Sequence, residues 1–201
     1  GFDAPTAKIC CYPVDRGFVA AMADFVRKGI EDASATGAPR VLFSAHGLPE
    51  KFVKAGDPYQ KQVEMTVAAI LAELGDLKPD YRICYQSRVG KLVWLGPYTD
   101  SEIIQAGVES VPLVVAPIAF VSEHSETLVE LDLEYGELAR ENGVPAYIRI
   151  PTVGVAPVFI DGLATLVGQA IVGDAKIISG QGRRICPLDC HDCLSPEPAV
   201  A

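Results

Sequence analysis

Four short apolar runs, separated by stretches with helical periodicity, constrain this chain more than any other feature of it. The runs are Arg40–Phe43, Arg82–Tyr85, Pro112–Ala116 and Ala146–Ile150, and they are partly β-branched. Between them, apolar residues recur at helical spacing over Pro58–Leu74, Thr99–Val108 and Glu123–Asn142, and further helical stretches cover Val14–Ile30 and Val158–Val172. Parallel neighbours need a long crossover between them, and a helix is its usual form. Val111–Ala116 is apolar without alternation, as suits a strand covered on both sides. The expected fold class is α/β: a doubly wound parallel four-stranded sheet with helices on both faces. Asp57 and Pro58 read as N-cap and first helical residue, Ser122 as the N-cap of the acidic helix, and Gly75 and Gly143 as C-cap residues. The chain then divides into a helical lead-in over 1–36, the α/β lobe over 37–155, a helix over 156–175 and a cysteine-containing tail over 176–201. Leu194–Ala201 reads as a mobile Pro-rich end.

Composition closes off several alternatives. The 201 residues are 49% hydrophobic and 21% charged, which excludes a disordered chain. A formal charge of −9 argues against nucleic acid as a partner, because phosphates need basic surface. No apolar run is long enough for a bilayer span. Gly1–Lys8 has no basic segment leading into an apolar one, so no signal peptide is expected, and with no initiator Met the natural N-terminus is expected upstream. Six cysteines in a chain with this much core fit a reducing compartment, the cytoplasm, better than a disulfide framework. Cys186, Cys190 and Cys193, crowded near the end, suggest metal chemistry.

Open α/β sheets bind ligands beyond the carboxyl ends of their strands. There the sequence places Ser44–Pro49, Gln86–Gly90 leading to Trp94, Phe120–His124 and Thr152–Gly154. His46, between a strand and the Gly47 turn, is set to project its ring into that crevice. Glu123, Glu126, Glu130 and Glu134 fall on one stripe of a helix that carries no Lys or Arg before Ala139. Such a row is either a solvated acidic face or a path for protons or a divalent cation. No G-x-G-x-x-G, P-loop or G-x-S-x-G pattern occurs, so neither a dinucleotide cofactor nor a serine hydrolase is indicated.

Several long motifs then coincide with one family. Leu42–Pro49 (LFSAHGLP), Gly56–Tyr59, Tyr85–Gly90 (YQSRVG), Trp94–Asp100 (WLGPYTD) and Pro117–Leu128 (PIAFVSEHSETL) resemble the ferrochelatase signature, in the family's order, from about Cys11 to Gly168. The resemblance implies a chelatase-like lobe and the insertion of Fe²⁺, as substrate, into protoporphyrin IX to form heme, with no organic cofactor. His46 and Glu126 would be the catalytic and iron-contacting pair, facing each other across the macrocycle. Ser87, Arg88 and Trp94 would line the porphyrin. Glu123, His124, Glu130 and Glu134 would form the relay, on a helix widened locally to π geometry. It also implies a first lobe ahead of this segment, with peripheral membrane contact through it. Some members hold a [2Fe–2S] cluster, which here would use Cys186, Cys190 and Cys193 with Cys10 or Cys11. The alternatives are free thiols or a zinc site with His191. Two rival readings stand beside this one: a related chelatase acting on coproporphyrin or inserting cobalt, and a non-catalytic Fe–S module.

Overall fold

The computed structural model describes residues 4–173 and 176–195. In chain order these form β1 (Lys8–Cys11), α1 (Arg16–Ala33), β2 (Arg40–His46), α2 (Glu50–Ala55), α3 (Tyr59–Leu74), β3 (Asp80–Gln86) and α4 (Thr99–Glu109). There follow β4 (Leu113–Pro117), α5 (Ser125–Leu128), a π turn (Glu130–Glu134), α6 (Tyr135–Glu141), β5 (Tyr147–Arg149), α7 (Pro157–Val172) and β6 (Ile177–Ser179). Four strands pair in the order β3-β2-β4-β5, all parallel, as the alternating pattern requires.

Alternate strand residues explain the two layers. Val41, Phe43, Ala45, Val114 and Ala116 point into a core shared with α1, α3 and Phe159 of α7. Leu42, Cys84, Leu113 and Val115 point the other way, against Ile103 and Ala106 of α4, Leu131 of the π turn and Ala139 of α6. Both faces are therefore dry, and full burial of a side chain such as Phe43 or Leu42 contributes about 1.5–3 kcal/mol. Helix α1 lies so close to the sheet that a Cβ at Gly29 would sit 2.8 Å from Val114 Cγ1.

The local signals translate with small shifts. α3 starts one residue later than expected, with Pro58 as N-cap and Tyr59 as first residue, while Asp57 Oδ1 still accepts the Tyr59 N–H at 2.8 Å. Gly75 and Gly143 adopt positive φ (62° and 74°) at the ends of α3 and α6. The acidic helix is corrected at its start: its N-cap is His124, not Ser122, and Glu123 lies outside it. A separate two-stranded parallel sheet, β1 with β6, was not expected. Those strands have only four and three residues, too few to show a period. Residues 174–175 and 196–201, including most of the proposed mobile end, lie outside the described residues. No described helix is long and apolar enough to cross a membrane.

Candidate active site

His46 ends β2, and its ring is held from one side. Nδ1 lies 2.7 Å from the Gly47 carbonyl oxygen, which can only accept, so this nitrogen carries the hydrogen. Nε2, on the open side of the ring, stands 3.5 Å from Glu126 Oε1. The backbone beneath is fixed too: Tyr59 Oη donates to His46 O at 2.8 Å, and Gln86 O accepts the Gly47 N–H at 2.8 Å. A side chain at position 47 could not fit, since its Cβ would stand 2.8 Å from Gln86 O and 3.1 Å from Trp94 Cε3. Phe120 sits edge-on beside His46 and packs at a tilt against His124, with ring centroids 4.9 Å apart.

His46 and Glu126 stand 3.5 Å apart, closer than the about 7 Å, two van der Waals contacts, that a flat macrocycle between them would need.

The acidic row divides into tied and free members. His124 Nδ1 accepts the Glu126 N–H, and the His124 N–H donates to Thr127 Oγ1, closing a capping box. Glu130 is fully engaged: it accepts from Gln86 Nε2 (3.0 Å), Ser87 N (2.7 Å), Tyr135 Oη (3.0 Å) and Ser87 Oγ. Burial, and then the Glu130 charge, push the Tyr135 phenol well above its ordinary value, so it stays a donor. The π turn is what brings Glu130 round, with the Glu134 N–H reaching back five residues to Val129 O at 2.9 Å. Glu134 is exposed and pairs with no group among the described residues. Glu123 faces elsewhere, accepting from Arg149 Nη1 (2.7 Å) and the Thr152 N–H (3.0 Å). Burial acts to raise its carboxyl, but the hydrogen bonds from Thr127, Thr152 and Arg149 outweigh it and hold it below the usual range.

Ser87 stands in the left-handed region at φ 62°, tied through its N–H and hydroxyl to Glu130. Arg88 lies 3.8 Å over the Tyr98 ring and pairs with Asp100. Trp94 packs on Gly47, and its indole N–H is buried without a partner among the described residues. Gln86 and Tyr59 fall inside segments picked out in the sequence but were assigned no role, and Tyr135 and Arg149 were not singled out at all. Gln86 had a legible signal: an amide at the end of an apolar strand, fully buried here, must find partners.

The tail folds back onto α3. The Asp192 N–H donates to Gly56 O, Arg184 gathers the carbonyls of Cys186, Pro187 and Cys190, and Gln62 Nε2 reaches Cys186 Sγ at 3.5 Å. Cys10 Sγ lies 3.6 Å from Cys11 Sγ. Burial, with the neighbouring Cys10, Cys186 and Cys193, pushes the Cys11 thiol up to about 12. The N-terminal pair and the tail thiols therefore share one neighbourhood. Cys84 does not, being sealed inside β3 against Thr99 and Phe43. Among the described residues, no three His, Cys, Asp or Glu side chains are closed to metal-binding distances. The thiols are gathered, not yet closed.

A strand-end base paired with a carboxylate, over the open edge of a parallel sheet, defines an α/β lobe equipped to handle protons and cations. The family model for ferrochelatase matches residues 2–171. The ferrochelatase of Phenylobacterium zucineum is 55% identical over 185 residues, covering 92% of this chain and 53% of that protein. That of Caulobacter vibrioides is 49% identical over 191 residues (95% and 55%), and that of Rickettsia conorii 45% over 194 (96% and 55%). This chain belongs to the ferrochelatase family. It spans about half the length of the curated relatives it matches.

Proposed function

We propose that the complete protein inserts ferrous iron into protoporphyrin IX, the step that forms heme. The carrying observation is the His46–Glu126 pair, with its base oriented and its carboxylate within 3.5 Å, in a chain of this family. Metal insertion must remove two protons from pyrrole nitrogens. The lone pair on His46 Nε2 accepts such a proton, and Glu126 stabilises the imidazolium that results. Glu126 and Glu134 are the members of the row free to carry a proton or meet the incoming Fe²⁺. Glu130, bound by three residues, anchors them. Ser87, Arg88 and Trp94 bound the porphyrin's berth, and the unpartnered Trp94 N–H suits an acceptor from substrate or from the rest of the protein.

A preceding lobe would complete the cleft. A groove of about 1350 Å³ bounded by α1, α3, α7 and residues 178–182 supports this, as do the exposed Val167, Ile171 and Val172. That lobe would carry any peripheral membrane contact, and the setting would be cytoplasmic. For the tail we propose a [2Fe–2S] cluster held by Cys186, Cys190, Cys193 and Cys10 or Cys11. Their soft thiolates and shared neighbourhood fit that group. Bound there, a cluster would supply a redox-active link between the two ends of this segment.

The test is anaerobic metal insertion by the complete protein, offered Fe²⁺ or Co²⁺ with protoporphyrin, coproporphyrin or sirohydrochlorin. Ferrous insertion into protoporphyrin should dominate, and His46→Ala should remove it while thermal unfolding stays unchanged. Near-normal turnover in that variant would sink the assignment.

A further inference from the structure

The residue opposite His46 in the parallel register is Gln86, and it touches both halves of the pair. Its backbone oxygen accepts the Gly47 N–H at 2.8 Å, fixing the turn that orients the imidazole. Its side-chain nitrogen donates to the Glu126 carbonyl oxygen at 2.8 Å and to Glu130 Oε2 at 3.0 Å. Its side-chain oxygen accepts from Ser44 Oγ at 2.8 Å, which sets the amide the right way round. Thr99 Oγ1 lies 3.0 Å from Ser44 Oγ and 3.3 Å from Cys84 Sγ, and its one hydrogen serves either contact. Gln86, Ser44, Thr99 and Cys84 are all completely buried. In such surroundings an amide with every partner satisfied has one orientation open to it.

We infer that Gln86 is the positioning residue that sets Glu126 against His46. The inference rests on the functional reading given above. The argument is one of donor count. Two acceptors from the acidic segment, a carbonyl and a carboxylate, converge on a single nitrogen, and only an NH₂ group supplies a hydrogen to each. The first acceptor belongs to the peptide that carries the Glu126 side chain, and the second to the anchor of the π turn. Losing these bonds frees the segment to move against β2 while leaving His46 and Glu126 chemically intact. A displacement of about 1 Å can cost about a hundredfold in rate.

Replacement by glutamate separates this role from mere packing, because it keeps the shape and makes the donor depend on pH. The charged or titratable groups around position 86 are Glu126 and Glu130 on the acidic segment, Tyr135 behind them, His46 on β2, Cys84 on β3 and the Arg88–Asp100 pair on the following loop. Burial and the Glu130 charge both raise the pKa of a carboxyl placed there. Below that pKa the neutral acid donates one hydrogen. Above it the variant donates none and repels Glu130.

The experiment measures ferrous insertion by the complete protein against pH, for wild type, Gln86→Glu, Gln86→Met, Ser44→Ala and His46→Ala. Expected for Gln86→Glu is a kcat, relative to wild type, that falls about tenfold as pH rises from about 6 to about 8. Its KM for porphyrin should change less than about twofold. Gln86→Met should lose kcat equally at every pH, and Ser44→Ala, which frees the amide to turn, should lose a few-fold. If His46→Ala is inactive while Gln86→Glu follows the wild-type profile and Ser44→Ala keeps full kcat, the positioning role is overturned and the functional reading stands. Wild-type protein that inserts no iron, or does so regardless of His46, overturns both.

Discussion

At the carboxyl edge of the sheet, His46, Glu126 and Glu130 are steadied by groups from the turn after β2, from α3, from β3 and from α6. At the tail junction, Cys11 feels the charges of Cys186 and Cys193, and the Gln62 amide reaches Cys186 Sγ at 3.5 Å. The first region holds its shape through hydrogen bonds satisfied within the protein. The second brings together groups that raise one another's pKa, burial being the largest cause at both Cys11 and Cys186. Thiols in that condition remain protonated at neutral pH. A site of the first kind is preorganised and loses most when a reacting group is removed. A site of the second kind gains order when a cation displaces its protons.

The sharpest way to break this contrast lies in the acidic row. Glu126→Gln should lower kcat by about a hundredfold or more, whereas Glu134→Gln, exposed and two turns further along, should cost only a few-fold. Stopped-flow formation of the heme absorbance band in the complete protein reads both. Equal and negligible effects would mean that the row is a solvated face.

The thiol region makes the next largest claim. Anaerobically purified complete protein should be brown, with iron and sulfide in equal amounts, and Cys186→Ser should bleach it. Each thiol that must lose a proton makes apparent affinity fall with falling pH, by about tenfold per unit. Reconstitution should therefore be markedly weaker at pH 6 than at pH 8. Colourless wild-type protein, or zinc in place of iron and sulfide, defeats the cluster and leaves the His46 site untouched.

Gly56 tests how the tail is seated. It adopts φ +112°, and a Cβ there would stand 2.8 Å from His191 N. Gly56→Ala should destabilise the fold by about 1–3 kcal/mol in a denaturant titration and speed proteolysis beyond Gly180. Turnover should change less than it does in Glu126→Gln. Unaltered tail protection would show that the contact is incidental.

The smallest effect is electrostatic. Glu123 has a folded pKa held below its unfolded value, so its contribution is complete above about pH 4.3 and disappears as pH falls through the native value. Glu123→Gln should cost about 1 kcal/mol at pH 7, since the carboxylate is partly solvated, and nothing at about pH 2. Parallel stability curves for variant and wild type down to that pH would contradict the assignment.

The parts of the site that could be read from the sequence are those tied to a strand end. His46, Ser87 and the Trp94 loop follow a strand or its turn, and the carboxyl ends of parallel strands form an edge whatever the packing details. The acidic stripe was legible as a stripe, because helical period is local. Its division was not. Whether Glu130 is free or tied depends on Gln86 and Tyr135, one 44 residues away and the other on the far side of the π turn. The tail gave a similar half-answer: three nearby cysteines announce themselves, but their approach to Cys10 and Cys11 required the β1–β6 pairing.

Taken alone, the order of residues determined the α/β class, the parallel sheet, the helix stops at Gly75 and Gly143, and where the titratable side chains lie along the chain. Each of these follows from short-range periodicity, backbone preference or functional-group identity, and none needs a distant partner. Only the tertiary structure decided that His46 Nε2 and Glu126 stand within 3.5 Å, that Glu123 turns away to Arg149, and that one buried amide touches both halves of the pair. Those outcomes depend on hydrogen bonds between residues far apart in sequence. Such bonds are strong and specific because packing has excluded the water that would otherwise compete for them.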